Sequence, residues 1–154
     1  MFSERLSFGG VALHLYGETP WQLSPACAPF RTEAAPAAHE IHLRLSDTMP
    51  TPPDGTPCSL RTYRWRTGAQ RHTLHDHVSD FTYAVTDGNS TELTVSTGYA
   101  GNLRTQLLLE AVDLFDILAE RGMLVLHSSY VLRAEGDAIL FSGASGIGKS
   151  TQAE

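Results

Sequence analysis

Apolar residues change their spacing along this chain, and the changes divide it into a strand-rich part and a helix-led part. Leu6 to Tyr16 sets Phe8, Val11, Leu13 and Leu15 around Gly9-Gly10, which predicts a strand with a bend. His39 to Leu45 alternates, with Ile41, Leu43 and Leu45 on one face and His42 and Arg44 on the other. Leu60 to Arg66 repeats the alternation less cleanly around Tyr63 and Trp65. Phe81, Tyr83 and Val85 then lead into Asp87-Gly88-Asn89-Ser90, and Leu93 and Val95 lead out, which predicts an antiparallel hairpin with one face in a core. Proline-rich stretches at 19–25, 32–38 and 49–55 punctuate these strands as loops.

The period lengthens after residue 100. Leu108, Ala111, Val112, Phe115, Leu118 and Ala119 recur at helical spacing, with Gln106, Glu110, Asp113, Asp116 and Glu120 on the other side. One long amphipathic helix over 103–121 is predicted, with Asn102 as N-cap, Arg121 in the last turn and Gly122 as the C′ residue. A strand over Met123–Leu132, a turn at Glu135-Gly-Asp137 and a buried strand over Ala138–Ser142 complete the pattern. The fold class read from this is α+β or α/β. A mainly β part over residues 1–100 joins a helix, two strands and a loop over 101–154, together forming one structural domain.

Composition changes this picture little. The 154 residues are 42% hydrophobic and 18% charged, as in an ordinary globular domain. A formal net charge of -6 offers no footprint for nucleic acid or an anionic membrane. Cys27 and Cys58 are far apart and outside metal-ligand spacing, which suits two free thiols in a reducing compartment. The start is not basic then apolar, and no apolar run approaches the ~20 residues of a membrane span, so a cytoplasmic protein is expected.

The chemistry concentrates at the end of the chain. Gly143-Ala144-Ser145-Gly146-Ile147-Gly148-Lys149-Ser150 follows the Gly-x-x-x-x-Gly-Lys-Ser pattern of a phosphate loop. Its glycines let successive backbone N–H groups turn inward on phosphate oxygens. Lys149 supplies a mobile charge for the β- and γ-phosphates, and Ser150 a hydroxyl ligand for Mg²⁺. A helix beginning near Lys149 adds the positive end of its dipole, and Thr151 either helps orient the phosphates or opens that helix. ATP and Mg²⁺ are therefore the expected ligands. His127 sits on the strand beside the nucleotide strand; from spacing alone it reads as an ordinary half-buried sheet histidine. His72, His75 and His77 with Asp76 have the residue types of a transition-metal site but no fourth ligand, and read as a solvated turn. Arg61, Arg64 and Arg66 read as a solvated sheet face.

Residues His127 to Glu154 resemble the HPr kinase/phosphorylase family, a branch related to phosphoenolpyruvate carboxykinase. The shared order is a histidine strand, a short turn, the apolar strand and Gly-Ala-Ser-Gly-Ile-Gly-Lys-Ser. The resemblance implies ATP-dependent phosphorylation of a serine hydroxyl on a peptide or small protein, with Lys149 on phosphate and Ser150 on Mg²⁺. It also makes His127 an active-site residue and leaves homo-oligomerisation of the full-length protein open. The departures are Ala144 where the carrier-protein kinases usually have Asp, and Thr151 where they usually have Glu. The first 120 residues look instead like divergent HPr-kinase-related proteins. The paired aspartates expected after the loop's helix are not in this sequence, so the chain reads as the N-terminal portion of such a kinase, inactive and a poor ATP binder alone. The alternatives are another phosphate-loop ATPase of transporter type, and a non-catalytic module that binds nucleotide or a peptide strand.

Overall fold

The computed structural model describes residues 1–18, 21, 23, 25–33, 36–53, 61–101, 111–126, 128–132, 134 and 136–143. Seven strands form one mixed sheet: β1 (Phe2–Phe8), β2 (Val11–Gly17), β3 (His39–Leu45), β4 (Thr62–Thr67), β5 (Gln70–Asp76), β6 (Phe81–Asp87) and β7 (Ser90–Val95). Their spatial order is β1-β2-β3-β7-β6-β5-β4. The β1–β2 hairpin and the β4-β5-β6-β7 meander are antiparallel throughout. β3 lies between these two blocks and pairs parallel with both β2 and β7.

The stretch from Leu6 to Tyr16 is a hairpin and not one bent strand. Gly9 and Gly10 take φ of +56° and +92°, the two left-handed positions that a tight two-residue turn requires, and the register closes on Phe8↔Val11. The 81–95 hairpin forms about Gly88-Asn89 as the sequence predicts, but its phase differs. Ala84, Thr82 and Thr86 face the core with Leu93, Val95 and Thr91, while Tyr83 and Val85 lie half-buried on the opposite face. Small and β-branched polar side chains take the inward positions because a second layer packs closely there.

That layer comes from the β2–β3 crossover and from residues 111–120. The crossover contains a 3₁₀ segment, Pro25–Phe30, and contributes Leu23 and Cys27 to the core. Ala111, Val112, Leu114, Ile117 and Leu118 pack on the same sheet face, against Leu6, Leu13, Leu15, Ile41, Leu43 and Leu93. Burial of this apolar surface is the main stabilising contribution to the fold.

The expected α+β or α/β architecture, with a long helix over 103–121 feeding a kinase core, is corrected here. The described chain is predominantly β-sheet. Among the described residues its helical elements besides the 3₁₀ segment are two short helices, α1 (Thr97–Gly101) and α2 (Leu114–Ala119). Asp113 stands at φ +52°, ψ +48°, a left-handed residue at the N-cap of α2, so no continuous helix passes through it. The face read from the apolar periodicity is not the one that is buried: Ala111, Val112 and Leu118 are buried as expected, but Phe115 is 61% exposed and Ala119 is exposed, while Asp113, Leu114 and Ile117 turn inward. Asn102 and the first half of the predicted helix lie outside the described residues. α2 ends at Ala119 with Glu120 as its C-cap, so Arg121 and Gly122 lie just past it and not in the last turn and at C′ as expected; Arg121 Nη1 still donates to the Ile117 carbonyl at 2.8 Å, and Gly122 has φ +75°.

Beyond α2, among the described residues of the predicted 123–132 strand, Ser128–Leu132 is β-structure and 123–126 is not. This β8 pairs antiparallel with β9 (Ala138–Ser142) in a separate two-stranded sheet. β9 is not buried: Ile139 and Leu140 are 47% and 57% exposed. Its apolar run therefore lacks the covering layer that the sequence suggested.

Candidate functional site

The strand required before a phosphate loop is present. β9 ends at Ser142 and passes directly to Gly143, the first glycine of the motif, which is exposed. Antiparallel pairing sets Ser128 opposite Ser142. Ser128 follows His127 and Ser142 precedes Gly143, so the two sequence neighbours of the candidate residues share one register position. Ala144, Ser145, Gly146, Ile147, Gly148, Lys149, Ser150, Thr151 and His127 themselves lie outside the described residues.

The histidines read as a solvated turn are placed differently: His72 and His75 lie on β5, where His72 is buried, and only His77 falls past its end. His72 stacks on Trp65 with centroids 5.0 Å apart, and its Nδ1 lies 2.8 Å from the Tyr83 hydroxyl. Burial lowers the pKa of His72 and raises that of Tyr83. His77 lies past the strand end and stacks on Tyr99, at 4.7 Å, and on His75. Among the described residues no group of three or more His, Cys, Asp or Glu side chains is placed to hold a metal ion.

The arginine set is also not simply a solvated face. Arg64 projects to the helical layer, where its Nη2 donates to Asp113 Oδ1 at 2.9 Å. Thr73 donates to the other carboxylate oxygen of Asp113, and Arg71, next to it on the sheet, pairs with Glu120. The left-handed backbone of Asp113 thus aims a 4% exposed carboxylate at the polar half of the sheet. No spacing rule in the sequence announces this contact, because its partners are 40 and 49 residues away.

A second buried network crosses the centre of the sheet. Arg121 Nη2 donates to the Ala38 carbonyl at 2.9 Å, to Asn89 Oδ1 at 3.0 Å and to His39 Nδ1 at 3.2 Å. Guanidinium only donates, so Nδ1 of His39 is the acceptor and Nε2 carries the proton, donated to Thr91 Oγ1 at 2.8 Å. Thr91 Oγ1 in turn lies 2.9 Å from Thr86 Oγ1. Burial first, then the Arg121 charge, lowers the pKa of His39 to about 4.

The opposite face of the sheet carries a set of polar residues, of which the strand pattern marked His42 and Arg44 as facing away from the core. Ser3, His14 and Glu40 come from three adjacent strands: Ser3 Oγ is 3.0 Å from His14 Nε2, and His14 Nδ1 is 2.7 Å from Glu40 Oε2. Tyr16 stacks between His14 and His42 with centroids 5.0 and 4.9 Å away. His42 and Arg44 both meet Glu92. Cys27 is a buried free thiol whose pKa burial raises, which makes it a poor nucleophile; Cys58 lies outside the described residues.

Among the described residues no helix is long and apolar enough to cross a membrane. Comparison with protein-family models, with curated proteins and with solved structures found no match. Functional interpretation therefore rests on the residues and their placement.

Proposed function

We propose that the chain carries the phosphate-binding part of an ATP-dependent kinase resembling HPr kinase/phosphorylase, which transfers the γ-phosphoryl group of ATP to a serine hydroxyl of a peptide or small protein. The observation that supports this reading is the junction at Ser142–Gly143, where an antiparallel-paired strand delivers the chain into Gly-Ala-Ser-Gly-Ile-Gly-Lys-Ser. In this reading backbone N–H groups of Gly143–Gly148 cradle the phosphates, Lys149 neutralises their charge and the Ser150 hydroxyl holds Mg²⁺. The Ser128↔Ser142 pairing favours His127 as an imidazole beside the same phosphates. We assign the protein to the cytoplasm, where ATP, Mg²⁺ and such acceptors occur together. The proposal requires neither the long helix nor the α/β core expected from the periodicity.

The test is transfer of ³²P from [γ-³²P]ATP to serine-containing peptides by the protein expressed from its complete reading frame. Serine phosphorylation that Lys149→Ala abolishes and His127→Ala impairs is the expected result. Nucleotide hydrolysis without transfer, at any acceptor concentration, sinks the kinase reading in favour of an ATPase.

A further inference from the structure

We propose that Ser3, His14 and Glu40 form a nucleophilic triad on the sheet face opposite the helices, and that it hydrolyses small acyl esters through an acyl-Ser3 intermediate. This activity is separate from the nucleotide loop and does not rest on the kinase reading.

The proton positions follow from the chemistry of the three groups. An ionised Glu40 only accepts, so His14 Nδ1–H donates to Oε2 across 2.7 Å. That tautomer leaves Nε2 as an acceptor, and the Ser3 hydroxyl donates to it across 3.0 Å. Nucleophile, base and orienting carboxylate thus stand in the order and at the separations that general-base activation of a hydroxyl requires. The order is set by the sheet. In the β1–β2 ladder Arg5 is opposite His14, so Ser3 approaches the ring diagonally, and in the β2–β3 ladder Glu40 is directly opposite it. Tyr16 stacks on the imidazole and fixes its plane. The dyad is sheltered without being enclosed: the side chain of His14 is 19% exposed and that of Glu40 43%.

Room for a substrate lies at the β1 edge. Arg31 bridges to Leu6 and Thr32 donates its N–H to the Arg5 carbonyl at 3.1 Å, which brings residues 31–33 alongside the strand. Ser3, Glu4, Arg5, Arg31, Thr32 and Glu33 line the resulting groove of about 500 Å³. Glu4 and Arg31 pair with each other at 3.2 Å, and Arg5 alternates onto the same strand face as Ser3. In the first step Ser3 Oγ attacks the ester carbonyl carbon, forming a C–O bond, while its proton passes to His14 Nε2. The tetrahedral intermediate collapses with cleavage of the bond to the leaving alkoxide, which takes the proton from His14. Water, deprotonated by His14, then attacks the acyl-serine, and the carboxylic acid and Ser3 hydroxyl are regenerated.

The probe is a fluorophosphonate, which phosphonylates an activated serine, followed by peptide mapping on the whole chain and parallel assays of p-nitrophenyl acetate hydrolysis. Ser3 is expected to be the labelled residue, and ester hydrolysis to run about 10²-fold above the Ser3→Ala variant. Glu40→Gln removes the carboxylate charge that stabilises the imidazolium, so labelling falls with the melting temperature unchanged, while Glu40→Asp restores part of it. His14→Gln removes the general base and abolishes labelling. Labelling of native Ser3 no faster than in the urea-unfolded chain overturns the proposal. So does equal hydrolysis by Ser3→Ala, or a Glu40→Gln variant that labels at the wild-type rate.

Discussion

His39 is enclosed by β2, β7 and the guanidinium of Arg121, and its neutral form is the only one that fits the donors around it. Protonation would place an N–H at Nδ1 against an Arg121 N–H. Because its folded pKa of about 4 lies below the ordinary 6.5, the unfolded chain binds more protons between these values. Its contribution to stability is complete above about pH 6.5 and is lost as the pH falls through about 4. The shift corresponds to about 3 kcal/mol. Urea unfolding at pH 7 and pH 4 should show this loss in the wild type, and His39→Gln should flatten the difference between the two midpoints. Asp113 makes the complementary case. Asp113→Ala removes the acceptor of Arg64 and Thr73 and puts a Cβ-bearing apolar residue at φ +52°, so a loss of about 2–3 kcal/mol is expected. Asp113→Asn, which tolerates the left-handed backbone, should lose less, and a chemical denaturation series separates the two. Neither residue was legible as a structural centre in the sequence: a lone histidine opening a strand and one aspartate on a helix face carry no mark of partners that lie 40 to 82 residues away.

Elements were legible where local chemistry alone determines them. Gly88-Asn89 between alternating runs gave a hairpin, His39–Leu45 gave β3, and Gly136, at φ +90°, lies between β8 and β9. The first hairpin was missed because two apolar runs about Gly9-Gly10 fit a bent strand as well as a reversal. The predicted helix failed for a different reason: Asp113 takes a left-handed backbone that interrupts it, and Leu114 and Ile117 turn inward while Phe115 and Ala119 face out. Close approach of strands was equally invisible. A Cβ on Gly17 would stand 2.6 Å from the Leu43 carbonyl oxygen, a backbone atom held by the β2–β3 ladder. Gly17→Ala should therefore cost about 1–3 kcal/mol. Thermal melts of that variant against Gly68→Ala, where a Cβ meets nothing but φ is +60°, would separate crowding from backbone strain.

For the whole molecule, the composition and strand signals indicated a sheet with one covered face, yet not the order of its strands. Order depends on the two parallel contacts of β3, which join segments distant in sequence. The phosphate-loop motif was the feature most plainly written in the sequence; a strand precedes it, but an exposed one, and residues 144–150 lie outside the described residues. Lys149 is expected to contribute a charge-assisted contact of about 1.5–3 kcal/mol to bound phosphate. Lys149→Ala in the protein from its complete reading frame should accordingly weaken ATP·Mg²⁺ binding roughly 10- to 100-fold by isothermal titration calorimetry. An unchanged affinity would remove the loop from nucleotide binding.

The position of β3 also shapes how the chain reaches its folded state. The four-strand meander closes through connections of two to four residues, and the first hairpin through two, so both can form early from local contacts. β3 is joined to neither of its hydrogen-bonded neighbours by a short turn: β2 reaches it across the 3₁₀ crossover, and β7 lies some fifty residues on. Its docking is thus the late, entropically costly step that joins two preassembled halves, and its amides are shielded on both sides once it is seated. In native-state hydrogen exchange, Ile41 and Leu43 should belong to the slowest-opening group, released only when the halves part, while the outer strands β1 and β4 exchange through smaller openings.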